Sequence, residues 1–380
     1  MTQARNYADS HPIVRVSAKR FAASPYVERY ANDETVFGVY SARLYPLSLG
    51  DDPVADYWHL RKKAALFDVP ERPLQVEGPD AERLLDLVLT RDVTKMAPGK
   101  ARYAIACDDR GGILMDGVLI RWSAERFWYV LADGEFVRWL QAHARGLEVT
   151  VSDPGSWVLQ VQGPTSLGVL AEACDEQAPD PFPYFAVAEV QMGGQQVLVS
   201  RTGWSGELGF EIYTLPATDG PALWDHVLEA GEAHGLAVKS LECLGIRRIE
   251  AGILDNGTDL DPSMTPFEAG LGAFVDLEKP TFVGREALAA ADRRPLLFGL
   301  SGPSTPAAGA TVHRDGSAVG RVTAGAWSPF LERGIGYVRL QEPGEWVGSE
   351  VRVGDGDDPF EVVELPFHDR EKKIPRGLAR

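Results

Sequence analysis

Two segments of the sequence place acidic side chains among residues suited to burial. Asp116 interrupts the apolar run Ile113–Ile120, and a buried carboxylate is costly unless it has a partner or a chemical role. In Arg201–Tyr213, Trp204 lies on a glycine-rich loop and Glu211 lies inside the following strand. A ring for stacking beside a carboxylate that accepts two N–H groups suits a flat heteroaromatic ligand. The residues alone leave two structural alternatives open: a solvent-facing Asp at a glycine bulge, and a hairpin with a packed tryptophan.

The general motifs of several other enzyme classes do not occur in the sequence. Gly203, Gly206 and Gly209 recur at every third position, which is not the G-x-G-x-x-G pattern of dinucleotide sites. Neither a G-x-x-x-x-G-K phosphate loop nor a G-x-S-x-G nucleophile elbow is found. The 7 histidines never reach metal-ligand spacing with a cysteine or with one another, so no metal is expected.

Length and charge exclude further classes of protein. The 380 residues suggest two or three domains, and 44% hydrophobic with 24% charged residues is typical of a globular chain. A net charge of −17 argues against nucleic acid and against anionic membranes as partners. Cys107, Cys174 and Cys243 are far apart, as expected of reduced structural thiols. Met1–Arg20 contains no apolar signal segment, so we expect a cytoplasmic protein without a membrane span.

An internal repeat predicts the elements that support the two acidic segments. Leu74–Asp80 (LQVEGPD) recurs 85 residues later as Leu159–Thr165 (LQVQGPT). Each copy predicts a strand, a Gly-Pro turn and a polar residue that caps a helix, and helical patterns follow in Ala81–Val88 and Ser166–Leu170. The prediction is a duplicated α+β unit; the alternative is two unrelated strand–turn–helix units.

Elements further along the chain complete the predicted organisation. Apolar residues at helical spacing predict helices in Ala222–His234 and Leu241–Ile253. After about Pro295 the sequence changes to short β runs separated by turn signals, which predicts a small all-β domain. The charged residues Arg370–Arg380 are expected to form a frayed tail.

The same segments carry a resemblance to a known family. Arg201–Tyr213 resembles the R-T-G-Y-T-G-E-x-G-F-E-I-Y signature of the glycine-cleavage T-protein (aminomethyltransferase) family, with Trp204 at the family's tyrosine. Further motifs of the family occur in the same order, namely Leu66–Val69, Gly78–Ala81, Gly111–Asp116, Arg248–Gly252, Gly284–Glu286 and Gly320–Pro329. The resemblance covers about residues 40–365 and rests on several uncommon motifs in register.

The resemblance implies an α+β fold, a three-domain ring around a central hole that holds tetrahydrofolate. Two related α+β domains would be followed by a C-terminal all-β domain of Greek-key or jelly-roll type. The comparison assigns residues 1–49 and 150–250 to the first domain and residues 50–149 and 251–285 to the second. Residues 286–380 would form the third domain.

Roles for single residues are also implied by position in the family's motifs. Glu211 matches the pterin-binding glutamate, Trp204 takes the place of the pterin-side tyrosine, and Tyr103 matches a tyrosine near the folate. Asp116 matches the second Asp of a G-G-x-x-D-D turn, which lies beside the reacting folate nitrogens, and is the implied catalytic residue. Arg248 matches the arginine of an R-x-E motif, where it either contacts the cofactor or forms a structural ion pair.

Departures from the family pattern bear on the substrate. Met115 replaces the first Asp of the pair, Ala132-Asp133 stands where T-proteins have Asn-Ala, Leu244 replaces the Arg of A-R-D, and Pro70–Arg72 replaces Ser-His-Met. These losses make glycine cleavage, and with it a lipoyl carrier protein as partner, unexpected. Ser200–Ser205, Arg248–Glu250 and Asn256–Gly270, together with Ala132-Asp133, are instead similar to the dimethylsulfoniopropionate demethylase branch.

The function that the resemblance implies is that of a tetrahydrofolate-dependent one-carbon transferase. We favour a demethylase that moves a methyl group from a small sulfonium, ammonium or methoxy donor to folate N5. The first alternative is an aminomethyltransferase-type enzyme that produces 5,10-methylene-tetrahydrofolate, in glycine cleavage or amine demethylation. The second is a non-enzymatic folate-binding protein of iron–sulfur maintenance, although the K-G-C-(Y/F)-x-G-Q motif of those relatives does not occur around the 3 cysteines.

Overall fold

The computed structural model describes residues 18–131 and 134–378. Two predictions fall wholly or mostly on residues that are not described. One is the match of Ala132-Asp133 to the demethylase branch, and the other is the absence of an apolar signal segment from Met1–Arg20, of which residues 1–17 are not described.

The described residues contain 19 β-strands, which in chain order are β1 (Val36–Tyr40), β2 (Arg43–Ser48), β3 (Ala64–Val69), β4 (Arg72–Glu77), β5 (Lys100–Cys107), β6 (Ile113–Arg121), β7 (Arg126–Leu131), β8 (Thr150–Ser152), β9 (Val158–Gln162), β10 (Val187–Met192), β11 (Gln195–Ser200), β12 (Gly209–Thr214), β13 (Leu236–Val238), β14 (Leu297–Gly302), β15 (Thr311–Arg314), β16 (Ser317–Ser328), β17 (Arg333–Leu340), β18 (Glu350–Val353) and β19 (Pro359–Val363). The α-helices of the same ranges are α1 (Val27–Tyr30), α2 (Pro53–Lys62), α3 (Ala81–Val88), α4 (Phe136–His143), α5 (Ser166–Ala173), α6 (Gly220–Gly231), α7 (Leu241–Glu250) and α8 (Arg285–Ala290). Short 3-10 turns occur at Ala18–Arg20, Glu232–His234 and Gly272–Phe274.

Two sheets repeat one arrangement of strands. The first has the order β5-β6-β7-β4-β8, and the second has the order β10-β11-β12-β9-β3-β13. In each sheet a three-strand antiparallel meander packs beside a strand of the sequence repeat, β4 or β9, and that strand leads into a helix, α3 or α5. The predicted duplicated α+β unit is therefore confirmed, and each copy buries its own hydrophobic cluster.

The glutamines of the repeat occupy equivalent cross-strand positions in the two sheets. Gln75 on β4 lies opposite Trp128 on β7, and its side-chain oxygen accepts a hydrogen bond from the indole Nε1 at 3.1 Å. Gln160 on β9 lies opposite Glu211 on β12, and its side-chain nitrogen donates to the carboxylate Oε1 at 2.8 Å. Toward the residue opposite it, the glutamine thus accepts a hydrogen bond in one copy and donates one in the other.

The polar residues that follow each repeat turn do not cap their helices as expected. Asp80 instead accepts a hydrogen bond from the backbone N–H of Glu148 at 2.8 Å, and the hydroxyl of Thr165 donates to the carbonyl of His234 at 2.8 Å. Both side chains are therefore used for contacts with distant segments of the chain. A capping assignment from local sequence was wrong because the stronger partners come from elsewhere in the fold.

The region after Pro295 is all-β, as predicted. Its strands close into a barrel with the order β14-β17-β16-β15-β18-β19, because β14 pairs with β17 on one side and with β19 on the other. The predicted helices near residues 222 and 241 are also confirmed: α6 continues as a 3-10 turn to His234, and α7 ends at Glu250. No helix in the described ranges is both long and apolar enough to cross a membrane.

The C-terminal tail was expected to fray, and for its described part this is wrong. The carboxylate of Asp369 accepts hydrogen bonds from the backbone N–H groups of Lys373 and Ile374, both at 2.8 Å. The guanidinium of Arg201 donates to the carbonyl of Pro375 at 3.3 Å. These contacts fix a turn against the second sheet, so the charged residues of the tail are held in place.

The boundaries of the three predicted domains remain a prediction. The strand pairing shows where the chain passes between the two sheets. β3 pairs with β9 of the second sheet, from Ala65 opposite Gln162 to Val69 opposite Val158. β4, only a few residues later, belongs to the first sheet. The link Pro70-Glu71 is therefore the point at which the chain passes from one sheet to the other.

The second repeat turn requires a glycine at position 163 because the backbone of Lys63 passes close to it. A pair of substitutions tests this requirement. A Cβ added at Gly163 (φ 121°) would lie 2.1 Å from the carbonyl oxygen of Lys63, whereas one at Gly155 (φ 71°) would meet nothing within 4 Å. We expect Gly155→Ala to cost about 1–2 kcal/mol and Gly163→Ala to cost about 1–3 kcal/mol more. Urea unfolding of both variants measures the difference, and equal midpoints would contradict the close approach.

Candidate active site

A cavity of about 860 Å³ lies between the two sheets. Its wall combines strand residues of both sheets, the link at residues 69–71, the loop at residues 202–204, α7 and the C-terminal tail. Of the residues singled out from the sequence, Tyr103, Asp116, Trp204 and Glu211 all line it. The structure thus brings together four side chains that are far apart in the sequence.

Asp116 lies on β6, between β5 and β7 in the first sheet, and its side chain is held from two directions. The hydroxyl of Tyr103 donates to Oδ2 at 2.8 Å, and the side-chain amide of Asn256 donates to Oδ1 at 2.9 Å. The residue is only 7% exposed, so the alternative of a solvent-facing Asp is wrong. Burial raises the pKa of Asp116, and the two hydrogen bonds oppose that rise.

Glu211 on β12 presents a buried carboxylate whose orientation is set by three donors. Gln160 donates to Oε1, while the hydroxyls of Thr202 and Tyr213 donate to Oε2, the latter at 2.8 Å. The side chain is 5% exposed, and burial raises the pKa of Glu211 against the effect of these hydrogen bonds. Such a carboxylate offers a rigid acceptor to an N–H group of a ligand.

The conformation of the loop that carries Trp204 is held by hydrogen bonds to the side chain of Gln162. The side chain of Gln162 donates to the carbonyls of Thr202 and Phe210, at 3.2 and 3.3 Å, and accepts from the hydroxyl of Ser205 at 2.6 Å. A Cβ at Gly203 would lie 2.1 Å from the Oε1 atom of Gln162, which explains a glycine at this point of the loop. The indole packs against the core, as the structural alternative expected, and it also lines the cavity.

Arg248 forms the structural ion pair that the sequence left as an alternative. Its guanidinium pairs with the buried carboxylate of Asp259 and donates to the carbonyl of Ile253 at 3.2 Å. It is not among the described residues that line the cavity, and it lies 5.2 Å from the centre of the Trp204 ring. Arg248 therefore supports the cavity wall through that ring.

Sequence reasoning missed several residues of the cavity wall. Glu71 lines it, although the Pro70–Arg72 segment drew notice only as a departure from a family motif. Lys372 and Arg376 line it from the tail that was expected to fray. The cavity therefore contains buried carboxyl groups and, elsewhere on its wall, cationic groups.

Comparisons with known proteins place this arrangement in a family. Residues 25–279 match the model of the GCVT N-terminal domain, and residues 293–369 match that of the glycine cleavage T-protein C-terminal barrel domain. The chain belongs to the glycine-cleavage T-protein family. The resemblance inferred from the motifs is thereby confirmed.

Individual members of the T-protein family show how broad the similarity is. An aminomethyltransferase of Streptomyces coelicolor is 37% identical over 347 residues, which cover 86% of this chain and 92% of that protein. The dimethylsulfoniopropionate demethylase DmdA of Ruegeria pomeroyi is 33% identical over 340 residues, with the same coverage of both chains. The crystal structure of aminomethyltransferase T from Bartonella henselae superposes with a TM-score of 0.82 at 28% identity, covering 92% of this chain and 99% of that one. The predicted α+β fold is confirmed by this match.

Membership of the T-protein family confirms two further predictions. The protein is a transferase of the tetrahydrofolate-dependent type, and tetrahydrofolate is its cofactor. The cavity has the chemistry that such a group needs: a buried acceptor at Glu211, an indole face at Trp204, and cations at Lys372 and Arg376 for the carboxylates of its tail. Its volume also lies within the usual range for small-molecule sites.

Loss of the charge on Asp259 tests the support of the cavity wall. Asp259→Asn leaves the buried guanidinium of Arg248 without its counter-charge, so we expect a loss of about 3–5 kcal/mol in unfolding free energy. The matched control is Asp225→Asn, which breaks the exposed pair with Arg29 and is expected to cost about 0–1 kcal/mol. Denaturant unfolding measures both, and equal effects would show that Arg248 needs no counter-charge.

Proposed function

We propose that this protein is a tetrahydrofolate-dependent demethylase that moves a methyl group from a small sulfonium, ammonium or methoxy donor to folate N5. The observation that carries the proposal is the position of Leu244. This apolar side chain lines the cavity where the resemblance places the arginine of T-proteins. A site for an aminomethyl group on a lipoyl arm is built differently, and the proposal includes no lipoyl carrier protein.

The rings of the cavity wall support a cationic donor. Besides Trp204, the lining includes Tyr40, Tyr45, Tyr184 and Phe185. Aromatic faces attract a positively charged sulfonium or ammonium group by about 0.5–2 kcal/mol, more where water is excluded. The 33% identity to the dimethylsulfoniopropionate demethylase of Ruegeria pomeroyi is in line with a donor of this class.

The chain's own residues supply positioning and a proton acceptor. Bound tetrahydrofolate supplies the amine nitrogen that takes up the methyl group. Asp116, held by Tyr103 and Asn256, keeps one orientation and accepts the proton that this nitrogen sheds after alkylation. Glu211 and Trp204 hold the flat ring by hydrogen bonding and stacking, which aligns the reacting atoms. A sulfonium or ammonium donor leaves as a neutral group and needs no acid, whereas a methoxy donor needs a proton delivered to its leaving oxygen.

An aminomethyltransferase-type reaction is the second candidate, because the relative from Streptomyces coelicolor that is 37% identical bears that name. The folate product distinguishes the two reactions. A demethylase yields 5-methyl-tetrahydrofolate, whereas the alternative yields 5,10-methylene-tetrahydrofolate. The protein is proposed to act in the cytoplasm, where free thiols such as those of its 3 cysteines persist.

Binding of the cofactor is tested by anaerobic titration of the protein with tetrahydrofolate, followed by tryptophan fluorescence. We expect saturable quenching in the micromolar range. Glu211→Ala and Glu211→Gln should each weaken binding by at least about 2 kcal/mol, because a charged acceptor is removed. The exposed Glu172 on α5 provides the control, Glu172→Ala, which should bind normally. Unchanged affinity in both Glu211 variants would overturn the assignment of this residue to the pterin.

The role of Asp116 is tested by separating binding from turnover. Asp116→Asn keeps the shape of the side chain but removes the proton acceptor, so we expect folate affinity within a few-fold of normal and turnover lower by about 10²–10⁴. Sulfonium, quaternary ammonium and methoxy compounds serve as donors, and mass spectrometry identifies the folate product. A fully active variant would return Asp116 to a structural role. Methylene-folate as the product would favour the second candidate.

A further inference from the structure

Glu71 is an acidic residue of the cavity wall that the roles above leave unused. It lies in the link between β3 and β4, at the junction of the two sheets. Its backbone carbonyl accepts a hydrogen bond from the guanidinium of Arg43 at 2.8 Å, and that guanidinium lies 4.0 Å from the ring centre of Trp157. The position of Glu71 is therefore fixed by its main chain, independently of its side chain.

The side chain of Glu71 shares one amide with Glu211. The side-chain nitrogen of Gln160 donates to the Oε1 atoms of both residues, at 3.3 Å for Glu71 and 2.8 Å for Glu211. The second oxygen of Glu71, Oε2, is buried and has no hydrogen-bond partner among the described residues. Buried polar atoms are nearly always satisfied, and Glu71 as a residue lines the cavity, so its carboxyl group is a candidate for completion by a ligand.

The hydrogen bonds to Glu211 limit what this residue can bind alone. An ionised carboxylate offers about four lone-pair positions. Gln160, Thr202 and Tyr213 occupy three of them, which leaves about one for a ligand. The edge of a pterin presents a row of donors and acceptors side by side. A second protein group is therefore needed at the neighbouring position, and Glu71 shares the Gln160 amide with Glu211 and lines the same cavity.

The charges around Glu71 decide which carboxyl carries a proton. Burial, and next the charge of Glu211, raise the pKa of Glu71 to about 8. The titratable and charged groups that face it are Glu211 and Tyr213 on β12, Asp68 on β3 and Arg43 on β2. Glu211 is the better-satisfied anion because three donors point at it. Burial raises the pKa of both carboxyl groups, and the three donors on Glu211 favour its ionised form, so the shared proton is assigned to Glu71.

We propose that Glu71 and Glu211 recognise the pterin edge as a pair, with ionised Glu211 accepting an N–H and neutral Glu71 donating its O–H to the adjacent ring nitrogen or carbonyl. This inference rests on the assignment of the cavity to tetrahydrofolate. It adds a specificity-determining residue: the pair matches an edge in which a donor stands next to an acceptor. A ligand with two donors there leaves the Glu71 proton without an acceptor.

The pH dependence of binding has a definite sign under this proposal. The neutral form of Glu71 is the binding form, so affinity is fully present below its pKa and is lost as the pH rises through that value. Above it, the Kd for tetrahydrofolate should rise about tenfold per pH unit. Glu71→Gln carries a permanent N–H donor, so this variant should keep a Kd within about threefold of normal at neutral pH and lose the alkaline weakening.

The experiment is an anaerobic titration with tetrahydrofolate between about pH 6 and about pH 9.5, on the full chain and on Glu71→Gln and Glu71→Met. Methionine fills the space without a polar group, and we expect its Kd to be at least about tenfold higher at neutral pH. Glu172→Gln, an exposed position on α5, is the control for charge, and thermal unfolding checks that every variant is folded.

Several outcomes would overturn the inference. If Glu71→Met binds as the unsubstituted protein does, Glu71 does not contact the pterin. If Glu71→Gln binds as weakly as Glu71→Met, while normal affinity increases with pH, the ionised form is the binding form and the proposed proton is wrong. Failure of the unsubstituted protein to bind tetrahydrofolate would instead overturn the proposed function, and the inference with it.

Discussion

The buried carboxyl groups of Glu211 and Asp116 are each held by hydrogen-bond donors from several elements, and this requirement organises the cavity. Glu211 is met from β9, from its own strand and from the loop after β11, while Asp116 is met from β5 and from the loop beyond α7. A buried charge without such donors would cost several kcal/mol. The strands and loops that carry the donors must therefore keep their positions around these carboxylate oxygens. The geometry of the site and the stability of its surroundings therefore have one cause.

The same requirement extends from the cavity to the barrel through α7. Leu241 and Leu244 of this helix line the cavity, and one turn later Arg247 pairs with Glu207 and Glu250. Glu250 also accepts hydrogen bonds from Tyr57 on α2 and Ser328 on β16, and a separate ion pair at Arg248 links the helix to residues next to the barrel. None of the described residues that line the cavity comes from a barrel strand. The barrel nevertheless contacts α7, the helix whose leucines line the cavity.

The sequence allowed more of the site to be predicted than of its surroundings. Asp116, Trp204 and Glu211, which line the cavity, could be singled out because an acidic or aromatic residue in a run suited to burial is conspicuous locally, and because family motifs surround them. Glu71 carries no such local signal; its role depends on Gln160, 89 residues away. The prediction of a frayed tail was wrong for a similar reason, because the tail is bound by a hydrogen bond from Arg201, which lies 174 residues from Pro375. Contacts of that range follow from the packing of the two sheets, which residue spacing does not encode.

The two repeat glutamines show how a duplicated unit can diverge. A primary amide has an accepting and a donating end, and a half-turn about its last torsion exchanges them without any movement of the backbone. In one copy the accepting end meets the indole of Trp128; in the other the donating end meets the carboxylate of Glu211. After duplication, one sheet could therefore gain a charged cross-strand neighbour while its inherited glutamine remained in place. The polarity of this part of the cavity wall thus depends on a single bond rotation, with the fold left as it is.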